Sequence, residues 1–102
     1  MTEAELQAAI VDTAELAGWL VFHDHDSRLN PAGLPDLVLV KPPRVVFLEL
    51  KSDKGRVRPE QQIWLDALEQ CDTLTSALVR PDDLSTVIDY LTKKDESNDH
   101  SQ

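Results

Sequence analysis

GLPDLVLV (residues 33–40) and VVFLELK (residues 45–51) decide the reading of this chain. Both are apolar, β-branched runs of strand length, and both carry charge where a buried strand would not. Asp36 opens the first run, and Glu49 and Lys51 lie near the end of the second. Charged side chains are rarely fully buried unless paired or bound to a metal ion. Side chains alternate along a strand, so Glu49 and Lys51, two positions apart, share a face. If Asp36 lies on the neighbouring strand, two carboxylates and an ammonium group converge. That set makes a small hard-cation site with a positive charge beside it, which suits hydrolysis of a phosphodiester. The plainer alternative is a solvated Glu–Lys strand pair, with Asp36 merely capping a strand start.

Pro42-Pro43 joins the two runs too tightly for a crossover, so strands over 36–41 and 44–50 form an antiparallel hairpin. Upstream, residues 2–17 read as an amphipathic helix. Thr2 is a good N-cap with Glu5 three residues on, and Leu6, Ala9, Ile10, Thr13, Ala14 and Ala17 recur at helical spacing before Gly18. Residues 19–22 make a short strand, and 23–35 form a polar loop with breakers at Asn30-Pro31 and Gly33. Downstream, 51–58 is a basic loop. Pro59 fits the first position of a second helix with Ile63, Trp64, Ala67, Leu68 and Cys71 as its apolar face. A fourth strand covers 75–79, and a third helix after Arg80-Pro81 carries Leu84, Val87, Ile88 and Leu91 on one face. The order αβββαβα predicts an α/β fold, a mixed sheet of about four strands flanked by helices. Residues 1–92 make one domain; 93–102 read as a polar, disordered tail.

Composition narrows the function. The 102 residues hold one core, and no apolar stretch approaches a membrane span. The acidic start MTEAELQ is unlike a signal peptide, and Cys71 is the single cysteine, so a cytoplasmic protein without disulfides is expected. A net charge of −9 argues against a protein that coats nucleic acid. The distribution is uneven, however. Residues 41–58 hold six bases and two acids, whereas the flanking segments net −6 and −7. Positive charge is therefore concentrated beside the Asp36, Glu49 and Lys51 set.

The succession TEAELQ, AGWLVFH, DSR, GLPDLVLV, FLELKSDKGRVRPEQQIWLDAL and VRP resembles the VRR-NUC branch of the PD-(D/E)XK nucleases, which is similar to Holliday junction resolvases. The resemblance runs over roughly residues 2–91 and implies a restriction-endonuclease-like core. It implies that Asp36 and Glu49 bind Mg²⁺ or Mn²⁺, with the Leu50 carbonyl as a third ligand. Lys51 would position or activate the attacking water, and Gln61 would hold a water or contact the phosphate. The spacing to Trp64 favours Gln61 over Gln62. Many relatives carry a metal-binding glutamate on the first helix. Here its place falls on Gln7, with Glu3 one turn earlier on the same face. Either Gln7 replaces it or Glu3 reaches in; for Glu3 the other reading is stabilisation of the helix N-terminus.

Further residues fit the resemblance. Ser27 and Arg28 match the DSR segment, and Arg28, the one base in the first 40 residues, reads as a phosphate contact or an internal salt bridge. His23 flanks the site. His23 and His25 have zinc-ligand spacing but lack further ligands nearby. Lys54, Arg56 and Arg58 are candidates for gripping the DNA backbone, which positions a duplex without reading its sequence. Trp19 and Trp64 read as core. The expected activity is metal-dependent endonucleolytic cleavage of branched or structured DNA. Two scissile strands at a junction imply a two-fold homodimer. The rivals are a nuclease of the same fold acting on nicks or flaps within a larger machine, and an inert DNA-binding module.

Overall fold

Thr2 and Glu5 start the first helix as a reciprocal pair. Thr2 Oγ1 accepts from the Glu5 amide (3.1 Å) and Glu5 Oε1 from the Thr2 amide (2.7 Å), satisfying two donors that a helix start leaves open. The computed structural model describes residues 1–23 and 30–93. In it, α1 spans Glu3–Leu16 and buries Leu6, Ile10 and Ala14, the four-residue repeat of one helical face. Its end is a Schellman turn. Gly18 donates to the Glu15 carbonyl and Trp19 to that of Ala14, with Gly18 at φ +91°, a conformation that favours glycine. Lys41 Nζ adds a cation at that helix end, 2.7 Å from the Ala17 carbonyl.

The four strands are β1 (Leu20–His23), β2 (Leu37–Lys41), β3 (Arg44–Leu50) and β4 (Thr75–Val79), in that spatial order. β1, β2 and β3 are antiparallel, and β4 joins β3 in parallel. A parallel neighbour needs a long crossover, which α2 (Pro59–Glu69) supplies. A 3₁₀ turn (Pro81–Asp83) then leads into α3 (Leu84–Thr92). The expected mixed sheet flanked by helices is therefore present, with β1 one residue later than expected and Asp36 just outside β2.

Register sorts the strands into two faces. Leu37 lies opposite Leu48, Leu39 opposite Val46, and Leu50 beside Val79. These six pack with Leu6, Ile10 and Ala14 of α1 and Leu91 of α3 into one buried core. Each leucine, isoleucine or valine among them stabilises the fold by about 1.5–3 kcal/mol on burial. Trp19 joins that core, and its indole N–H donates to the Leu91 carbonyl (2.9 Å), tying α3 to the start of β1. α2 packs on the other face, and there the apolar reading of its sequence needs correction. Leu68 is buried, but Ile63, Ala67 and Cys71 are exposed, and Trp64 is half-buried. The inward positions are Gln61 and Leu68, because this helix covers a polar site rather than an oily sheet.

Candidate active site

β3 carries both kinds of residue in alternation. Val46, Leu48 and Leu50 face the core, so Glu49 is turned to the opposite side, yet it is only 1% exposed. The first turn of α2 makes that burial possible. Pro59 occupies its first position, where the missing N–H costs nothing, and Gln61 follows at the third. Gln61 Oε1 accepts from the Arg58 amide (2.9 Å). With its oxygen on a donor, the amide turns its Nε2 to Glu49 Oε2, also at 2.9 Å. Gln62, by contrast, is exposed and bonds Asp66.

Asp36 reaches the same place from the mouth of β2. Its Oδ2 accepts from the Leu50 amide at 2.8 Å, serving as the ladder acceptor where regular pairing has stopped. The segment before it is fixed to α2. Trp64 Nε1 donates to the Ala32 carbonyl (3.2 Å), and a Cβ at Gly33 would overlap the Glu60 carbonyl. Gly33 also sits at φ +88°, so no other residue lets this segment lie so close to the helix. A cleft remains between them, lined by Gly33, Asp36, Arg58 and Gln61 among others.

Lys51 follows β3, and its backbone prolongs the pairing by donating to the Val79 carbonyl (3.0 Å). Its Nζ stands 3.4 Å from Glu49 Oε2. Glu49 Oε2 thus faces an amide N–H and an ammonium group, while Oε1 is buried with no partner among the described residues. Burial, then the neighbouring Asp36 charge, push the Glu49 carboxyl up to about 7, against the lowering by Lys51. Two neighbouring carboxylates share the single Lys51 ammonium, and the second oxygen of Glu49 is left without a donor among the described residues. A divalent cation with oxygen ligands fits that deficit.

The other expected residues lie farther out. Gln7 is half-buried and Glu3 exposed on α1; neither bonds Asp36, Glu49 or Lys51 among the described residues. His23 ends β1 opposite Leu37, a core-facing position, so alternation turns it away from the face of Glu49. Ser27 and Arg28 fall outside the described residues. Lys54, Arg56 and Arg58 are exposed, with Arg58 Nε 3.9 Å from Glu60. The basic charge is less concentrated at the site than the sequence suggests. Lys41 caps α1, and Arg44 stacks on Trp19 and Tyr90 (4.5 and 5.1 Å to the ring centroids) while bonding the Tyr90 carbonyl. Both sit at the hairpin end of β2 and β3, about 16 Å from Glu49 at strand rise.

The VRR-NUC domain family matches residues 2–79, from the cap of α1 to the end of β4. The chain belongs to the VRR-NUC domain family. A solved VRR-NUC domain structure superposes with a TM-score of 0.69, covering 88% of this chain and 98% of that one at 19% identity. That likeness speaks for the fold. No match was found among curated proteins. VRR-NUC is a nuclease-type domain, and the Asp36, Glu49, Lys51 and Gln61 cluster lies within the matched span. No helix among the described residues is long and apolar enough to cross a membrane.

Proposed function

We propose that this chain is a metal-dependent endodeoxyribonuclease that hydrolyses phosphodiesters in branched or structured DNA, in the manner of a Holliday junction resolvase. The observation that carries this reading is Glu49: fully buried, held on one oxygen by Gln61 and Lys51, unpartnered on the other among the described residues, and next to Asp36. Asp36 and Glu49, with the carbonyl of Leu50, would hold Mg²⁺ or Mn²⁺. A cation held by these residues would supply Lewis-acid chemistry for phosphate and water. Gln61 fixes the Glu49 carboxylate through Oε2, while Oε1 has no donor among the described residues and would be the oxygen available to a cation. Lys51 places a positive charge where a phosphate oxygen or the attacking water stands, and offsets charge that develops in the transition state. Lys54, Arg56 and Arg58 contact the DNA backbone from the exposed segment between β3 and α2.

The active form in this reading is a two-fold homodimer, because a junction offers two scissile strands. An open apolar surface supports it. On the face that carries Glu49, Leu20, Val40 and Val45 form one cross-strand row, and Phe22, Val38 and Phe47 the next. Leu20 is 72% and Phe22 47% exposed. Sedimentation of the full chain reads the assembly directly: a dimer is expected, and a monomer in the presence of junction DNA counts against this part.

Cleavage of a labelled panel (four-way junction, flap, nicked duplex, single strand, linear duplex) with Mg²⁺ or Mn²⁺ tests the whole. Symmetric metal-dependent cuts in the junction, lost in Glu49→Ala, are expected. Cuts confined to nicks or flaps would move the chemistry to another substrate. A folded protein that binds no cation and cuts nothing would be an inert module.

A further inference from the structure

Arg80 has no part in the chemistry above, although its side chain is committed to one place. It follows β4, and its Nη1 donates to three backbone carbonyls: Ser52 (2.7 Å), Gly55 (2.9 Å) and Asp53 (3.3 Å). Hydrogen bonds from a guanidinium are charge-assisted and stronger than neutral ones. All three carbonyls belong to the turn directly after Lys51, which the Gly55 amide closes by donating to the Ser52 carbonyl (3.1 Å).

That turn lies on the stem of Lys51. A Cβ at Gly55 would stand 3.4 Å from Lys51 Cδ and 3.1 Å from Ser52 Oγ, so the turn leaves little room beside the lysine. The backbone is held from the same source, because Val79, the residue before Arg80, accepts from the Lys51 amide. A lysine ammonium rides on a flexible four-carbon stem and has no preferred direction of its own. Here the stem is confined by a turn, and the turn by a cation just beyond the next strand. The 3₁₀ turn in its turn fixes Arg80, whose amide donates to Asp83 Oδ2 (2.9 Å).

We propose that Arg80 is a positioning residue: it clamps the Ser52–Gly55 turn against the stem of Lys51 and thereby keeps the ammonium group beside Glu49. The inference rests on the role given to Lys51 above. It distinguishes Arg80 from Lys54, Arg56 and Arg58, since its Nη1 is occupied by protein carbonyls rather than open to phosphate.

The test uses the full chain as wild type, Arg80→Lys, Arg80→Ala and Gly55→Ala, with two readouts. The first is NMR of the Lys51 Cε methylene. Confinement keeps its two protons inequivalent in the wild type; they should merge in Arg80→Ala, while core methyl signals of Leu39 and Val46 stay in place. The second is steady-state cleavage kinetics. Arg80→Lys and Gly55→Ala should each lower kcat about 10–100-fold, the size of effect a displacement of around 1 Å produces, with KM for DNA within twofold. Their combination should cost less than the product of the two, because both act through one turn. A rise in KM that steepens with salt, at unchanged kcat, would make Arg80 a phosphate contact and overturn the proposal. Unchanged Lys51 signals alongside a lowered Tm would reduce it to a structural residue. If the wild type cleaves nothing, the nuclease reading fails by itself, and the Lys51 signals still decide whether Arg80 governs that side chain. Should Arg80→Ala not fold, Arg80→Lys and Gly55→Ala carry the same two readouts.

Discussion

Leu48 and Glu49 are adjacent in β3, equally hidden from water, and buried for opposite reasons. Leu48 lies between Leu37 and Ala77 in an all-apolar layer closed by α1 and α3. Glu49 lies on the other face, where Gln61 of α2 and Lys51 meet one of its oxygens and no described residue meets the second. The first face gains free energy from burial and the second spends some of it. A strand held on one side by a dense core is rigid enough to keep a carboxylate out of water on the other. The difference teaches where to look: the costly residue stands on the best-anchored strand, between the antiparallel β2 and the parallel β4.

The strongest way to sharpen that comparison is to remove each side chain separately. Glu49→Ala should abolish cleavage while leaving DNA binding equal or tighter, since a negative charge near the phosphate is lost; filter binding of an uncut junction reads this. Loss of DNA binding with the fold intact would break the assignment. Leu48→Ala should cost about 2–5 kcal/mol in urea unfolding, the range for a truncated core leucine. A cost below about 1 kcal/mol would mean that the layer under Glu49 is not close-packed.

Gly33→Ala is expected next. Its Cβ would overlap the Glu60 carbonyl at a backbone angle that alanine avoids, so the segment carrying Asp36 must move away from α2. Stability should fall by more than 1 kcal/mol, and cation affinity should fall with it, because Asp36 shifts while Glu49 stays. Equal cation affinity in the folded variant would show that Asp36 is placed by β2 alone.

The subtlest effect to read is in pH. The Glu49 carboxyl is raised to about 7 by burial and by Asp36. Between its unfolded value near 4.5 and 7, the folded protein binds a proton that the unfolded chain does not. Stability contributed by this group is therefore present at low pH and falls as pH rises to about 7, then levels. Glu49→Gln removes the slope, so the variant should gain on the wild type across that window in thermal melts. A parallel pair of pH profiles would deny the shift.

Much of this was legible in the sequence because the two decisive runs are local. Capping by Thr2 and Glu5, the stop at Gly18, the Pro42-Pro43 hairpin and Pro59 at the start of α2 each depend on neighbours in the chain, and the structure has them there. The parity of Glu49 and Lys51 follows from strand geometry alone. The face of α2 was not legible, since apolar spacing selects Ile63, Ala67 and Cys71, whereas a buried carboxylate demanded Gln61 instead. Trp64 likewise faces a loop carbonyl rather than the core. The uses of Lys41, Arg44 and Arg80 were also hidden, because each bonds backbone carbonyls more than twenty residues away. A run of basic residues looks the same in sequence whether it awaits phosphate or holds the fold. The place of Gln7 and Glu3 near the acid pair was expected by resemblance, and no bond joins them to it among the described residues.

The central claim is that the Glu49 and Asp36 pair is a cation centre. Calorimetric titration of Mn²⁺ into the wild type and Glu49→Gln at pH 8 and pH 6 tests it most directly. Binding at pH 8 that weakens several-fold at pH 6, as protons compete for Glu49, and that is lost in the variant is the predicted result. Absence of Mn²⁺ binding by the folded wild type at pH 8, or undiminished binding in Glu49→Gln, would contradict it.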